Sequence, residues 1–191
     1  MRIVNKTIIF NFMIQNYPTK EQIKHNNTVE MIKNDIKIEI TNHKDEMDKL
    51  IPDKSELIVY KTVCEYENGK SVLKGHTWSV EWYKNYNNDN EYYTCITSLR
   101  TAFNTISLQI WIDNMEKIHY ILQVHASSSW KKLERLSTQE TTTTFEWERL
   151  KRLIIYAKKI QHIILSREEQ VQKIMAAAVK EGQLLKDFVG V

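Results

Sequence analysis

The sequence is poor in glycine, proline and cysteine. It has only four glycines and two prolines, and a phosphate-binding loop or a dinucleotide-binding fingerprint needs clustered glycines that are not there. Its two cysteines, Cys64 and Cys95, are too few for a disulfide scaffold or a cysteine-ligated zinc site. We therefore expect no cofactor and no metal ion, and we expect both thiols to be free.

Long hydrophobic runs are also missing. No stretch reaches the roughly 18 apolar residues of a transmembrane helix. The apolar segment from Ile8 to Ile14 is about half as long as a signal peptide, and no small-residue cleavage site follows it. The sequence thus predicts an intracellular, cytoplasmic protein without membrane insertion.

The residues that are abundant indicate a packed protein. Hydrophobic residues make up 42% and aromatic residues 10% of the chain, which is enough for a core. The net charge of +3 permits nucleic-acid binding without requiring it. The 23 Ile, 21 Lys and 14 Asn against six Ala suggest an AT-rich coding sequence, as in many viruses and protists.

The first 51 residues predict a strand followed by short helices. Residues Ile8 to Ile14 alternate as a strand does. Thr19 and Gln22 match a capping box, so a helix is predicted to begin there. The pair Asn26-Asn27 is expected to interrupt it, with a second start at Asn27. The alternation of Ile36, Ile38 and Ile40 then favours a strand, and a short helix is expected at about 43–51.

Residues 55–126 predict an antiparallel meander of about five strands. Asn68-Gly69 is a strong hairpin signal, and Asp113-Asn114 is a plausible two-residue turn. Ile106, Leu108 and Ile110 alternate with polar residues, as expected for a half-buried strand. The predicted strands are Glu56–Tyr66, Ser71–Tyr83, Glu91–Leu99, Asn104–Ile112 and Ile118–Ala126.

The chain after residue 127 is predicted to be helical. Ser127 to Ser129 form a cap-rich start, and residues 137–144 form a polar linker. Thr143 and Glu146 match a capping box for a helix over about 145–186. Ser166 and Glu169 match another, which leaves open whether this region is one long helix or two.

These elements predict an α+β fold. We expect a meander of about five to six strands, short N-terminal helices, and a long C-terminal helix or helix pair that packs on the sheet. Residues 1–126 and 127–191 would form one globular domain. This element order is similar in topology to helix-grip ligand-binding proteins and, at its end, to pleckstrin-like modules, although no family motif is present.

No catalytic signature is found. The sequence has neither a G-x-S-x-G nor an H-E-x-x-H motif. His119 and His125 share a strand face, but they would lie about 20 Å apart, which is too far to bind one metal ion. We therefore predict that the protein is not an enzyme and assign no catalytic residue.

Three groups of residues are candidates for partner binding. An aromatic run could fill the core, line a ligand pocket, or form a stacking platform for a protein or single-stranded nucleic acid. A basic helix face could bind an acidic surface. An apolar helical stripe could mediate assembly. The candidates are Trp78, Trp82, Tyr83, Tyr92 and Tyr93, then Arg149, Arg152, Lys158 and Lys159, then Val171, Ile174 and Ala178.

The leading hypothesis is a non-enzymatic interaction or assembly subunit that binds a protein partner or a second copy of itself. One alternative is a carrier of a small hydrophobic ligand, with a cavity between sheet and helix. A second alternative is nucleic-acid binding through the basic helix.

Overall fold

The computed structural model describes residues 18–126 and 137–189 of the chain. The predicted N-terminal strand and the predicted helix start at residues 127–136 lie outside these ranges. The helices are α1 (Lys20–Asn42), α2 (Lys44–Leu50) and α3 (Trp147–Val189), with a 3-10 turn at Lys54–Glu56. The strands are β1 (Tyr60–Glu67), β2 (Lys70–Trp78), β3 (Tyr83–Asn85), β4 (Asn88–Arg100), β5 (Asn104–Ile112), β6 (Ile118–Ala126) and β7 (Ser137–Thr142).

The predicted α+β fold with an antiparallel meander is confirmed. Strands β3 to β7 form one five-stranded sheet in sequence order, and β1 pairs with β2 in a separate two-stranded sheet. In the centre of the large sheet, Ile110 lies opposite Thr94 on β4 and opposite Tyr120 on β6. The predicted boundaries of β5 and β6 agree with the structure, because both strands have an apolar inner face.

The helices cover the inner face of the large sheet. Ile106, Leu108, Ile110 and Ile112 of β5 are fully buried there. Helix α1 contributes Val29, Ile36 and Ile40 to the same core cluster, and α3 contributes Leu150, Ile154 and Ala157. The described part of the fold is therefore a sheet with helices packed on one face.

Helix α1 differs from the prediction beyond its first turn. The capping box of Thr19 and Gln22 is present. The predicted interruption at Asn26-Asn27 and the predicted strand at Ile36–Ile40 are wrong, since one helix runs through both. Val29, Ile36 and Ile40 are buried at helical spacing while Ile38 is exposed. Burial of this stripe outweighs the modest cost of asparagine within a helix.

The strand predicted over Ser71–Tyr83 is wrong beyond Trp78. Residues 79–82 connect the two sheets, and β3 is a separate strand that pairs with β4. The predicted two-residue turn at Asp113-Asn114 is also wrong, because β5 and β6 are joined by the five residues 113–117. The Asp113 side chain accepts hydrogen bonds from the amides of Met115 and Lys117, each at 2.9 Å, and so organises the longer loop.

The region predicted as a polar linker at 137–144 contains β7, which pairs with β6 at the edge of the sheet. Threonine-rich segments suit such an exposed edge strand. The capping box predicted for Thr143 and Glu146 is wrong. Helix α3 begins at Trp147, and the Glu146 amide donates to the Tyr120 hydroxyl at 2.8 Å. The question of one helix or two is answered by the single 43-residue helix α3.

Candidate interaction surfaces

The predicted aromatic group does not form one surface. Trp82 and Tyr92 pack against the hydrophobic core. The Lys33 ammonium lies 3.4 Å from the centre of the Tyr92 ring, which occupies one face of that ring. Trp78 is half-buried at the base of the β1–β2 hairpin, where β2 ends, and its ring centre lies 5.6 Å from that of Tyr60. Of the five residues, only Tyr83 and Tyr93 lie side by side.

Tyr83 and Tyr93 belong to an aromatic row that also includes Trp111. The Tyr83 and Tyr93 ring centres are 5.6 Å apart, and the Tyr93 and Trp111 centres are 4.9 Å apart with the rings nearly parallel. The three residues are neighbours across β3, β4 and β5. Because the Tyr93 ring lies between two other rings, its faces are already occupied. This favours a role in cross-strand stabilisation over base stacking.

Beside this row, His119 and Asp113 fix the β5–β6 loop. His119 Nε2 lies 2.7 Å from Asp113 Oδ2. Burial raises the pKa of the Asp113 carboxyl, but hydrogen bonds from His119 and from the amides of Lys117 and Met115 outweigh it, so that the pKa is lowered. His119 Nδ1 contacts Thr141 Oγ1 and Gln139 Nε2, each at 2.9 Å. Through these contacts, Asp113 and His119 hold the β5–β6 loop against β7.

The basic residues predicted on α3 divide into paired and unpaired positions. Arg149 forms ion pairs with two carboxylates: its Nη1 lies 2.5 Å from Glu140 Oε2, and its Nε lies 3.3 Å from Glu146 Oε2. Lys158 is bonded to Glu56 at 3.1 Å. Arg152 and Lys159 are exposed and form no ion pair with a residue that the structure describes. The positive charge that remains for a partner is therefore smaller than the sequence suggested.

Glu168 fixes α3 to the end of the sheet. Its buried carboxylate accepts hydrogen bonds from the β4–β5 turn: from Thr101 Oγ1 at 2.7 Å, from the Ala102 and Phe103 amides at 3.0 and 3.2 Å, and from Asn104 Nδ2 at 3.0 Å. Burial raises the pKa of Glu168, yet these hydrogen bonds outweigh it, and the pKa lies below its usual value. Within residues 147–180 of α3, Glu168 is the last buried residue.

Beyond Glu168, the helix leaves the body of the protein. Every side chain from Glu169 to Lys180 is exposed. The exposed apolar residues include Ile174 at 69% and Met175 at 63% of their maximal accessible area. We call this segment distal α3 (residues 169–180). It holds the predicted binding residues Val171, Ile174 and Ala178.

The β1–β2 hairpin is the second exposed element, and we call it the arm (residues 60–78). Every residue from Thr62 to Lys74 is exposed. Tyr66, near the turn, is 81% exposed, and Leu73 is 59% exposed. The Asn68-Gly69 turn has positive φ at both residues, 51° and 77°, as a tight hairpin requires.

Two open cavities border α3. The larger, of about 560 Å³, lies between α2 and α3 and is lined by Leu50, Ile155 and Ile163 with Lys49, Lys158, Lys159 and His162 around them. The smaller, of about 270 Å³, lies where distal α3 begins and includes Phe103, Ile164 and Val171. Both lie at the protein surface, whereas the space between α3 and the sheet is filled by fully buried side chains such as Ile154 and Leu108.

The described residues contain neither a metal-binding cluster nor a membrane-spanning helix. No group of three or more histidine, cysteine, aspartate or glutamate side chains in residues 18–126 and 137–189 is arranged to hold a metal ion. Within the same residues, no helix has the length and apolar character needed to cross a membrane.

Comparison with known proteins found no matching family model, no matching curated protein and no matching solved structure. A functional proposal for this chain therefore depends on its exposed surfaces, distal α3 and the arm.

The sequence analysis found distal α3 but missed the arm. It predicted the Asn68-Gly69 hairpin, yet it placed both strands in the main sheet. A signal was available in β1, where Lys61, Glu65 and Glu67 alternate with Tyr60 and Tyr66. Such a strand is charged on one face and has few aliphatic residues on the other, unlike β5 and β6, whose inner faces are mostly aliphatic.

Proposed function

We propose that this chain is a non-enzymatic assembly subunit that binds protein through distal α3, and that its partner is a second copy of the chain. The observation that carries the proposal is the continuation of α3 into solvent with an uncovered apolar stripe. The alternatives, a carrier of a hydrophobic ligand and a nucleic-acid-binding protein, have less support.

The stripe continues the face that packs on the sheet. Ile154, Ala157, Gln161, Ile164 and Glu168 are spaced alternately by three and four residues, and they are buried or half-buried. Val171, Met175 and Ala178 continue the same spacing in the exposed segment. An apolar repeat of this kind is the pattern of a helix that packs against another helix. The proximal part has the sheet as its partner, and the distal part needs another.

The length of α3 also favours a partner for its exposed half. The 43 residues of α3 span about 65 Å, and about half of that length lies beyond Glu168. Short helices without tertiary contacts are marginally stable in water, since most helical stability in proteins comes from packing of an apolar face. A second helix on the stripe would supply that packing.

The charge distribution favours a second copy. At 100° per residue, Lys173 and Lys180 lie about 180–200° from Val171 on the helix, so the stripe from Val171 to Val179 carries no charge. Two such stripes can meet without burying an unpaired charge. A self-complementary patch of this kind suits the symmetric contact of a homodimer.

The two alternatives meet specific obstacles. Nucleic-acid binding would depend on basic residues, of which Arg149 and Lys158 are already paired with carboxylates. It would also depend on free aromatic faces, and the Tyr93 ring at the centre of the aromatic row lies between the rings of Tyr83 and Trp111. A ligand carrier would need an enclosed cavity, and the two cavities described above, which residues within 18–126 and 137–180 form beside α3, are open to solvent.

The proposal is tested by measuring the mass of the full-length chain by sedimentation equilibrium. We expect a dimer, twice the 22.8 kDa of one chain, at high concentration. Ile174→Glu places a charge on the stripe and should shift the equilibrium to monomer. Ala177→Glu adds the same charge about 120° from Val171 and is the matched control. Truncation after Arg167 is less suitable, because it also removes Glu168.

A monomer at all concentrations, or equal dimerisation of the wild type and Ile174→Glu, would rule out the proposal. Circular dichroism of both variants would check that α3 remains folded.

A further inference from the structure

The arm has one charged face and one uncharged face. Along β1, Lys61, Glu65 and Glu67 point to the same side, since alternate residues of a strand share a face. Their cross-strand neighbours include Val72 and Lys70. The opposite face of β1 holds no charged residue. It consists of Tyr60, Thr62, Cys64 and Tyr66, which lie opposite Trp78, His76, Leu73 and Ser71 of β2.

A β-bulge keeps this uncharged face continuous. Val63 pairs with Gly75 and Cys64 pairs with Leu73, so that Lys74 is an extra residue in β2. In a regular strand with no bulge, residues three or five positions apart lie on opposite faces, so His76 and Trp78 would lie on the opposite face from Leu73. The Lys74 ammonium instead reaches Glu67 at 2.5 Å and Glu65 at 3.5 Å on the charged side. Gly75 has φ +148°, a conformation that other residues rarely adopt.

The uncharged face is ordered at its base and uncovered toward its tip. At the base, the Tyr60 ring stacks on His76 with the centres 5.1 Å apart. Toward the turn, Cys64, Leu73 and Tyr66 are exposed. A two-stranded hairpin is marginally stable in water unless a third element covers its apolar face. The arm therefore gains stability from a partner on this face.

We infer that the uncharged face of the arm is a second contact between copies of this chain, packing against the same face of a second arm. This inference rests on the self-association proposed above. Two uncharged faces can pack together without burying an unpaired ionised group. With Cys64 and Leu73 near a twofold axis, the large Tyr66 of one arm would lie over the small Thr62 of the other, so that shape also permits a symmetric contact.

Area supports a second contact. The uncovered part of the face runs along six residues of β1, 62–67; at about 3.3 Å per residue and about 4.8 Å between strands, it measures roughly 20 Å by 10 Å, or about 200 Å². A stable interface commonly buries about 800 Å² of each partner. The stripe of distal α3 from Val171 to Val179 is only about 12 Å long, so neither surface alone reaches the usual interface size, and a dimer held by one of them would be weaker than a dimer held by both. The arm would add area to the same assembly.

Cys64 provides a direct test in the full-length chain. A short bis-maleimide should join two chains through Cys64, because thiols held together in a contact meet at an effective concentration in the millimolar range. The other thiol, Cys95, is protected, since burial raises its pKa to about 11. The control is Val63→Cys in a Cys64→Ser background, which moves the thiol to the charged face one residue away.

We expect Cys64 to cross-link at least about tenfold faster than the control cysteine at position 63. Equal rates would overturn the inference. Leu73→Glu should reduce cross-linking to the control rate, while Val72→Glu, on the charged face, should leave it high. Equal cross-linking in these two variants would also contradict the inference.

The two proposals fail separately. A dimer in sedimentation that is sensitive to Ile174→Glu, together with cross-linking at the control rate, would leave the α3 contact and remove the arm contact. Cross-linking at Cys64 could instead be rapid and be lost in Leu73→Glu, while Ile174→Glu sediments as a dimer like the wild type. That result would leave the arm contact and remove the α3 contact.

Discussion

The Glu168 carboxylate accepts a hydrogen bond from the Thr101 hydroxyl at 2.7 Å, although the two residues are 67 positions apart in the chain. This contact joins the middle of α3 to the β4–β5 turn. It marks the boundary between the part of α3 that packs on the sheet and the part that is exposed. The direction in which distal α3 leaves the protein is thus determined at one buried carboxylate.

Glu168→Ala is predicted to lower the free energy of unfolding by about 2–3 kcal/mol. The substitution removes the charged acceptor of hydrogen bonds from Thr101, Ala102, Phe103 and Asn104, and hydrogen bonds to a charged group contribute about 1.5–3 kcal/mol. Glu169→Ala, one residue further and exposed, should change stability by less than about 0.5 kcal/mol. Urea denaturation of both variants measures the difference. Similar values for the two would show that the Glu168 contacts contribute little.

The contribution of Glu168 should depend on pH. Its pKa is lowered in the folded protein from the ordinary value of 4.5. A group with a lowered folded pKa stabilises the fold above its unfolded pKa, and this stabilisation is lost as the pH falls through the folded value. The stability difference between the wild type and Glu168→Gln should therefore be constant near neutral pH and narrow below about pH 4.5. A difference that widens in acid would contradict this sign.

The two cysteines should react at very different rates. Cys64 is exposed, whereas Cys95 is half-buried, and burial raises the pKa of its thiol to about 11. The thiolate is the reactive form. Titration with a chromogenic disulfide should show one fast thiol in the folded protein and two in denaturant. Two fast thiols in the folded state would mean that Cys95 is accessible, and the cross-linking test would then need Cys95→Ala.

Trp111→Ala should destabilise the protein without reducing self-association. The Trp111 and Tyr93 ring centres are 4.9 Å apart. Removal of the Trp111 ring therefore uncovers one face of the Tyr93 ring. Aromatic pairs contribute about 0.5–1.5 kcal/mol beyond the area that they bury, so the loss of stability should exceed about 1 kcal/mol. Sedimentation equilibrium of the variant should give the wild-type dimer fraction. A monomeric variant with unchanged stability would show instead that the aromatic row is a binding surface.

Local patterns predicted much of the fold. The alternation in β5 and β6, the Asn68-Gly69 turn and the Thr19 cap all depend on neighbouring residues, and the structure agrees with each of them. The Ile36, Ile38 and Ile40 pattern fits either a strand or a helix over five residues. Burial of Val29, Ile36 and Ile40 in the core decides between them, and that is a tertiary effect.

The candidate surfaces were predicted only in part, for the same reason. The stripe at Val171, Ile174 and Ala178 follows from helical spacing. The separation of Trp78, Trp82 and Tyr92 depends on the departure of the arm from the main sheet after Val59 and before Val80. Nothing in the spacing of the aromatic residues specifies where the chain passes from one sheet to another.

In the proposed assembly, distal α3 holds two copies of the chain together. Hydrogen exchange of the amides in residues 169–180, measured at low-micromolar and at hundred-micromolar protein, tests it most directly, because an uncovered helix opens readily and a packed one does not. We predict that protection of this segment rises with protein concentration and that Ile174→Glu abolishes the rise. Rapid exchange of residues 169–180 at both concentrations would contradict the claim.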